Sequence, residues 1–263
     1  LKMKKKNYLI NNRKKKVKFS IITVVKNDKN KISNTIKSII KQSYKDFEYL
    51  IIDGKSSDQT LKKILKFKKK IDLLISEKDN GIYFAMNKAI KLSRGEIIVF
   101  VNSGDLLKKN SLKIINNIFS KNSNIQYVFG TVKRHYTKKT ILKYGVNLNR
   151  LKYNFDFATA HSTGFFLKKK MFDKFGLFNT KYMCSADYDL YFRLILKNKI
   201  VGTATKKNEL IGVVQKGGFS SKIGFLEHLR EETAIRFYNG QNFFIILLIL
   251  TNALIKQLIK SII

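Results

Sequence analysis

Residues 97–105 read IIVFVNSGD, five apolar side chains followed directly by four small or polar residues. An apolar run of this length, bounded by turn residues, predicts a strand that is buried on both faces of a sheet. Comparable runs cover residues 19–25, 49–52 and 71–75, and the segments between them carry apolar residues at helical spacing. Strands that alternate with amphipathic helices predict an α/β fold, with a mostly parallel sheet covered by helices on both faces.

The second half of the chain has a less regular pattern. Short apolar runs predict strands over residues 127–132, 164–167 and 210–214. Apolar residues at helical spacing predict helices over residues 187–197 and 225–237. The chain therefore continues into further elements after the regular first half, without an internal repeat.

Both ends of the chain differ from the domain between them, which we expect to cover residues 17–238. Residues 1–16 are polar and rich in lysine, which predicts a basic, flexible tail. Residues 239–263 are mostly apolar and predict a helical appendage, but the unbroken apolar run 243–250 falls well short of the ~20 residues that span a bilayer. This appendage could lie on a membrane surface, or it could pack against the protein or a second copy.

The net charge of the chain is strongly positive. The 263 residues include 53 Lys and Arg and 18 Asp and Glu, which gives a formal charge of +35. Attraction to nucleic acid, to an anionic membrane surface or to a phosphorylated substrate would explain this excess, and so would compositional drift. Nucleic acid is the least favoured of these partners, because the lysines are not clustered and no nucleic-acid-binding motif occurs.

Cysteine use and the N-terminal sequence bear on the compartment. Cys184 is the single cysteine, so an intramolecular disulfide is not possible. The basic N-terminal stretch lacks the apolar core of a secretory signal. We therefore expect a cytoplasmic protein, and the apolar appendage would allow peripheral attachment at the inner face of the cell membrane.

Three aspartates follow predicted strands at their carboxyl ends. Asp53 ends the second strand, Asp105 closes the turn after the fourth, and Asp79 follows the third by a few residues. In open parallel sheets the ligand crevice lies beyond the carboxyl ends of the strands. We therefore expect these three carboxylates to meet at one edge of the sheet.

Four segments match the pattern of a known family in the same order along the chain. They are FSIITVVKND at 19–28, YLIIDGKSSDQT at 49–60, SEKDNGIYFAMNKAIKLSRGEIIVFVNSGD at 76–105 and GLFNTKYMCSADYDLYFRL at 176–194. In these segments the chain resembles the family 2 glycosyltransferases of the GT-A fold, in particular those of bacterial polysaccharide synthesis such as the colanic-acid type. The resemblance covers most of residues 18–196.

The resemblance implies roles for three residues in binding the donor. It implies that Asp53 binds the nucleobase, that Asp79 contacts the nucleoside, and that His161 contacts the diphosphate or the acceptor. Each residue has a structural alternative. Asp53 precedes a glycine and could form a turn, Asp79 precedes an Asn-Gly turn signal, and His161 could be a hydrogen-bonded structural histidine.

The resemblance also implies a metal site at the turn after the fourth strand. The family's usual turn is D-x-D or D-x-D-D, whereas residues 102–105 read NSGD and leave one carboxylate. We expect Asp105 to bind Mg²⁺ or Mn²⁺, with Asn102 as a neutral oxygen ligand and the donor phosphates as the main remaining ligands. Arg193 and the turn at 217–220 are further candidates for holding phosphate.

The general base is expected in the last matching segment. An acceptor hydroxyl that attacks the anomeric carbon must lose its proton, and a positioned carboxylate can accept it. The match of residues 186–189, ADYD, to the family's E-D-Y-D places this base at Asp187. Asp189 is the competing choice, but it faces another side of the helix and is better placed to pair with Arg193.

Together these features predict an inverting glycosyltransferase that moves a sugar from a nucleotide-sugar donor to a hydroxyl of a lipid-linked or polysaccharide acceptor. We expect the donor to be a UDP-sugar, and an anionic membrane surface to be a further partner. Two alternatives stay open: a basic nucleic-acid-binding protein and a sugar nucleotidyltransferase. Against the second, no glycine-rich phosphate loop follows the first strand.

Overall fold

The computed structural model describes residues 8–12, 16–137, 139–153 and 162–262. The strands are β1 Tyr8–Asn11, β2 Val17–Val25, β3 Phe47–Asp53, β4 Leu73–Ser76, β5 Gly95–Phe100, β6 Leu106–Leu107, β7 Tyr127–Phe129, β8 Thr131–His135, β9 Thr140–Lys143, β10 Phe165–Lys168, β11 Gly202–Ala204 and β12 Leu210–Val214. The helices are α1 Ile32–Ile40, α2 Thr60–Leu65, α3 Ile82–Leu92, α4 Ser111–Lys121, α5 Leu148–Tyr153, α6 Lys170–Phe175, α7 Ala186–Tyr191, α8 Phe225–Tyr238 and α9 Phe243–Ile262. A π-helical segment, Phe192–Lys197, continues α7.

Eight strands form the main sheet, in the order β1-β4-β3-β2-β5-β10-β7-β11. The pairs from β4 through β3 and β2 to β5 are parallel, β10 runs antiparallel to both β5 and β7, and β11 is parallel to β7. A smaller sheet has the order β6-β12-β8-β9. The predicted α/β class, with a parallel core to the sheet, is confirmed.

Helices cover both faces of the sheet and explain the apolar sequence of its strands. In β2 the side chains of residues 19–25 are all buried. On one face α1 buries Ile32, Ile36 and Ile39, which recur at helical spacing, and on the other face α3 buries Met86. Each fully buried side chain of this size contributes about 1.5–3 kcal/mol, so the two layers fix the position of the strand ends between them.

The apolar run 127–132 forms two strands, β7 and β8, that belong to different sheets. Gly130 lies between them, and its N–H donates to the carbonyl of Gly164 at 2.7 Å. A Cβ at position 130 would lie 2.7 Å from Cγ1 of Ile211, so the glycine leaves room for this contact. The sequence predicted one strand here. The change from the main sheet to the smaller sheet at Gly130 depends on its contact with Ile211, far along the chain.

Part of the segment that we expected to be a flexible tail, residues 1–16, is paired with the sheet. Tyr8–Asn11 runs antiparallel to β4 and forms an edge of the main sheet. The N–H of Asn12 extends this pairing by donating to the carbonyl of Asp72 at 2.8 Å. This strand reads YLIN, is only four residues long and is held by backbone hydrogen bonds to a distant strand, so its short pattern did not mark it as a strand.

The predicted apolar appendage at 239–263 is largely one helix, α9, which packs against α8. Several of its large apolar side chains face solvent, with Phe244 72% and Leu248 68% exposed. Within the described ranges, no helix is both long enough and apolar enough to cross a membrane. In contrast, α8 packs into the protein through Leu229 and Ile235.

Candidate active site

A cavity of about 980 Å³ opens at the carboxyl ends of the parallel strands, where the sequence predicted the ligand crevice. A volume of this size suits a small-molecule ligand. The wall contains the predicted site residues Asp79, Asn102, Asp105 and Asp187. The structure thus brings these four together, although Asp187 lies far from the others in sequence. Another predicted site residue, His161, lies outside the described residues.

Asp53 lies behind the wall of the cavity and is fully buried. Its carboxylate accepts hydrogen bonds from the hydroxyl and N–H of Ser56 and, at 2.6 Å, from the hydroxyl of Ser76. The next residue, Gly54, does line the cavity, and its N–H donates to the carbonyl of Val25 at 2.9 Å. These contacts favour the turn-forming alternative for Asp53. Its carboxylate stabilises the turn, and Gly54, not Asp53, lines the cavity.

Asp79 lines the cavity and has one paired and one unpaired carboxylate oxygen. One of its oxygens, Oδ1, forms an ion pair with Lys88, which also pairs with Glu77. Its side chain is only 8% exposed, and within the described part of the chain the other oxygen, Oδ2, has no hydrogen-bond partner. A buried carboxylate oxygen without a donor is costly, so this atom is suited to accept a hydrogen bond from a ligand.

The turn at 102–105 is fixed by contacts with distant elements. Asp105 accepts hydrogen bonds from the hydroxyl of Thr163 at 2.7 Å and from the N–H of Gln215 at 3.1 Å. The hydroxyl of Thr35 on α1 donates to the carbonyl of Asp105 at 2.9 Å and accepts the N–H of Gly104 at 2.9 Å. The turn therefore joins α1, the loop after β12 and the segment before β10.

Two further residues of the same turn present oxygens without a partner. Both Oδ1 of Asn102 and Oγ of Ser103 are buried and accept no hydrogen bond from the described residues, and both residues line the cavity. The amide nitrogen of Asn102 donates to the hydroxyl of Ser162 at 3.2 Å, which aims the amide. No group of three or more His, Cys, Asp or Glu side chains that could hold a metal occurs in the described ranges. A metal ion at this turn would also draw on oxygens of other kinds, such as those of Asn102, Ser103 or a bound substrate.

Asp187 lies in the first turn of α7, at the wall of the cavity. Burial raises the pKa of Asp187 to about 6, although hydrogen bonds partly offset this effect. Its Oδ1 accepts the N–H of Tyr188 at 2.9 Å and lies 3.5 Å from the hydroxyl of Tyr83. A carboxylate with few donors in a low-dielectric setting binds a proton more readily than one in water, which is the property that a general base needs.

Asp189 has a structural role. It is buried and pairs with Nε of Arg193 at 2.8 Å, and its other oxygen accepts the amide of Asn239 at 3.2 Å. Arg193 also donates to the carbonyls of Phe175 and Leu177. The predicted pair of Asp189 and Arg193 is thus present, and Arg193 braces the chain before α7 instead of lining the cavity as a phosphate ligand.

The helix α8 contributes acidic residues that the sequence patterns did not reveal. Glu231 accepts the backbone N–H groups of three consecutive residues, Met183, Cys184 and Ser185, just before α7. Burial alone would raise the pKa of Glu231, but these donors lower it overall. Glu232 lines the cavity, and burial raises its pKa to about 9, so its carboxyl group is protonated at neutral pH.

Cationic side chains also line the cavity. They are Lys26, Lys31, Arg134, Lys143, Lys216 and Lys222. Lysine and arginine side chains form charge-assisted hydrogen bonds with anionic groups such as phosphates, and here they stand beside the carboxylates of the wall. The cavity is therefore suited to an anionic ligand that carries hydrogen-bonding groups.

A family model described as glycosyl transferase family 2 matches residues 20–176, which is more than half of the chain. The chain belongs to glycosyl transferase family 2. The match includes Asp53, Asp79 and the turn at 102–105, and it ends before α7. The role of Asp187 is therefore not supported by the family model. It is suggested by the sequence of residues 186–189 and by the position of Asp187 in the cavity wall.

Curated proteins with similar sequences are also glycosyltransferases by name. The Escherichia coli protein WfgD, named UDP-Glc:alpha-D-GlcNAc-diphosphoundecaprenol beta-1,3-glucosyltransferase, is 38% identical over 112 residues, which are 42% of this chain and 44% of WfgD. The chain thus spans less than half the length of this relative. It spans 18% of the length of the poly(ribitol-phosphate) beta-N-acetylglucosaminyltransferase TarS of Staphylococcus aureus, another curated relative.

Two solved structures share the GT-A fold with this family member. The crystal structure of Staphylococcus aureus TarS 1–349 in complex with UDP-GlcNAc has a TM-score of 0.67 at 18% identity, over 90% of this chain and 71% of that one. The mannosyltransferase PcManGT from Pyrobaculum calidifontis, in complex with GDP-Man and Mn²⁺, has a TM-score of 0.64 at 17% identity, over 94% and 72% of the two chains. At these identities the similarity establishes the fold.

Proposed function

We propose that this chain is an inverting glycosyltransferase that moves a sugar from a nucleotide-sugar donor, expected to be a UDP-sugar, to a hydroxyl of a lipid-linked or polysaccharide acceptor. One observation carries the proposal: Asp187, Asp79 and the polar turn at 102–105 line the same cavity. Membership of family 2 and the UDP-GlcNAc complex of TarS support a nucleotide-sugar donor.

Asp187 is the proposed general base. The acceptor hydroxyl gives its proton to Asp187 as its oxygen attacks the anomeric carbon from the side opposite the leaving diphosphate. With a pKa of about 6, Asp187 is ionised at neutral pH and still has a useful affinity for the proton. A single displacement inverts the anomeric centre, so an α-linked donor gives a β-linked product.

The two aspartates near the donor have different proposed roles. The unpartnered Oδ2 of Asp79 would accept a hydrogen bond from the nucleobase or from a ribose hydroxyl. Asp53 would support nucleobase binding indirectly. It would hold the turn in which Gly54 lines the cavity. The contact of His161 with the diphosphate or the acceptor stays a prediction.

A divalent ion, Mg²⁺ or Mn²⁺, is proposed to bind between the turn at 102–105 and the donor phosphates. The unpartnered oxygens of Asn102 and Ser103 and the carboxylate of Asp105 are hard ligands of the kind that these ions prefer. When bound, the ion would stabilise the charge of the leaving diphosphate as a Lewis acid. The Mn²⁺ in the PcManGT complex supports this choice.

The acceptor is proposed to lie at a membrane surface, on the cytoplasmic side. The exposed apolar side chains of α9, together with Lys256, match a helix that lies in the interface of an anionic membrane. By its name, WfgD acts on a sugar linked to diphosphoundecaprenol, which is a membrane lipid. Sedimentation with anionic vesicles should exceed that with zwitterionic vesicles and should fall in a Phe244→Ser, Leu248→Ser double variant.

The transfer function is tested by UDP binding and by sugar transfer with the purified full chain. Calorimetric titration with UDP in Mn²⁺ should show binding. Incubation of a panel of UDP-sugars with a polyprenyl-diphosphate-linked sugar should give a product whose anomeric configuration, read by NMR, is inverted. DNA binding that weakens strongly with salt, without any UDP binding, would favour the nucleic-acid alternative. Formation of a nucleotide-sugar from a nucleoside triphosphate and a sugar phosphate would favour the nucleotidyltransferase.

A further inference from the structure

Lys31 lies across the turn that is proposed to bind the metal ion. It immediately precedes α1, and its alkyl chain covers Gly104, since a Cβ at position 104 would be 3.1 Å from Cδ of Lys31. Its ammonium group, Nζ, donates to the carbonyl of Lys216 at 3.2 Å. Lys31, Gly104 and Lys216 all line the cavity. The positive charge is therefore held at the cavity wall beside the turn.

Gly104 makes this position of the lysine possible. Its φ of +99° lies in the region that favours glycine, and a carboxylate side chain there would need the space that the lysine occupies. The turn consequently carries one carboxylate, Asp105, and a lysine next to it. A cation at this point strengthens the attraction for an anionic ligand and weakens the attraction for a divalent cation.

The ammonium group of Lys31 has donors to offer. An ammonium has three N–H donors, and the described contacts use one of them, to the carbonyl of Lys216. Across the described residues, no carboxylate forms an ion pair with Lys31. Lys26 and Lys216 also line the cavity but are exposed, whereas Lys31 is partly buried. Donors that are already positioned stabilise charge without the cost of reorganisation.

We propose that Lys31 binds the diphosphate of the donor and neutralises the leaving nucleoside diphosphate, a task that a divalent ion, when bound, would share. The proposal rests on the proposed transfer function. In that reaction the bond from the anomeric carbon to the diphosphate oxygen breaks and leaves its electron pair on the diphosphate. The acceptor oxygen bonds to the carbon, and the hydroxyl proton passes to Asp187. The ammonium of Lys31 stabilises the negative charge that develops on the diphosphate.

The experiment is calorimetric titration of the full chain with UDP and, separately, with uridine, each in EDTA and in Mn²⁺. The variants are Lys31→Gln, which removes the charge, and Lys31→Arg, which keeps it. Lys37→Gln is the matched control, because Lys37 lies on the same helix, is exposed and is not part of the cavity wall. Thermal denaturation of each variant checks that it is folded.

We expect the unmodified chain to bind UDP in EDTA. Lys31→Gln should weaken UDP binding in EDTA by roughly tenfold or more, the size of a lost charge-assisted hydrogen bond, and should leave uridine binding unchanged. Lys31→Arg should keep most of the UDP affinity, and Lys37→Gln should keep all of it. Mn²⁺ should restore part of the affinity of Lys31→Gln, because the ion can take over the missing charge.

Three outcomes would overturn the assignment of Lys31 while leaving the transfer function standing. They are UDP binding that requires Mn²⁺ in the unmodified chain, equal UDP affinity of that chain and Lys31→Gln in EDTA, and an equal loss of UDP and uridine binding in Lys31→Gln. The last would mean that Lys31 only supports the loop at Lys216. Failure of the unmodified chain to bind UDP even in Mn²⁺ would overturn the transfer function together with this proposal.

Discussion

Asp105 and Asp187 are carboxylates in the wall of the same cavity, but their surroundings are opposite. Asp105 accepts a hydrogen bond on each oxygen, from the hydroxyl of Thr163 at 2.7 Å and from the backbone N–H of Gln215 at 3.1 Å. Asp187 receives one good hydrogen bond, from the backbone of Tyr188, and a long one of 3.5 Å from Tyr83. Position in a cavity therefore does not by itself make a carboxylate reactive. The donors around it decide whether it holds the structure or accepts a proton.

The largest effect is expected from Asp187→Asn. Removal of the general base should lower kcat by roughly 10²–10⁴-fold, while UDP affinity stays unchanged. The pKa of about 6 in the folded protein lies above the ordinary value of 3.8, so ionisation of Asp187 costs stability as the pH rises through this range. At pH 7 the neutral asparagine should therefore leave the free energy of unfolding equal or higher. Single-turnover kinetics and urea denaturation measure the two effects.

Normal turnover of Asp187→Asn would remove Asp187 from the mechanism. Glu232 would not be an adequate substitute at neutral pH, because burial raises its pKa to about 9 and leaves it protonated. Loss of turnover together with a large loss of stability would mean that Asp187, like Asp105, has a structural role.

Asp105→Asn should differ from Asp187→Asn by lowering the stability of the protein, in addition to weakening the metal binding that we propose for this turn. An amide has one acceptor oxygen, so either the Thr163 hydroxyl or the Gln215 N–H loses its partner. The free energy of unfolding should fall by about 1–3 kcal/mol, measured by urea denaturation without nucleotide or metal. Asp187→Asn is the control under the same conditions. A stability equal to that of the unmodified chain would show that the hydrogen bonds of Asp105 to Thr163 and Gln215 contribute little to folding.

Glu231→Gln should have a smaller effect, on the positioning of Asp187. The glutamine offers one acceptor oxygen to the three N–H groups of residues 183–185, so the start of α7 loosens. We expect kcat to fall by about tenfold, with UDP affinity unchanged. Glu227→Gln is the control, since Glu227 lies on the same helix and pairs with the exposed Arg230, a contact of little energetic value. Equal kcat in the two variants would show that Glu231 does not position the base.

Tyr83→Phe should give the smallest effect, visible in the pH profile. In the unmodified protein kcat/KM should fall about tenfold per pH unit below a pKa of about 6, because a protonated Asp187 cannot accept the proton of the acceptor. The Tyr83 hydroxyl lowers the pKa of Asp187, so the variant should shift this limb slightly upward. The ring contact with Phe178 is kept. An apparent pKa that falls in the variant would contradict a hydrogen bond from the Tyr83 hydroxyl to ionised Asp187.

The elements that depend on local pattern could be predicted from the sequence. Helix α1, strand β12 and the strand that ends before Asn102 appear where their apolar spacing indicated. The split at Gly130 and the pairing of residues 8–11 could not, because each depends on a partner elsewhere in the chain. Composition describes a segment by itself, whereas strand pairing is a property of two segments.

The same limit applies to the site. Asp79 and Asp105 were predicted to share one edge because the carboxyl ends of parallel strands meet there, and both line the cavity. Lys31, Glu231 and Glu232 were missed, since none of them follows a strand or belongs to a motif. Their proximity to the site results from how α1 and α8 pack, so no sequence spacing would have found them.

The sequence by itself determined the alternation of strands and helices in the first half of the chain, the family, and the aspartates that follow the strands. Hydrophobic period and short motifs are local, so they survive without a folded structure. Only the tertiary structure decided the state of each carboxylate. Asp53 is enclosed by two serines, Asp105 is clamped between distant segments, and Asp187 has a raised pKa. Desolvation and hydrogen bonding set these differences, and both depend on atoms that only folding brings together.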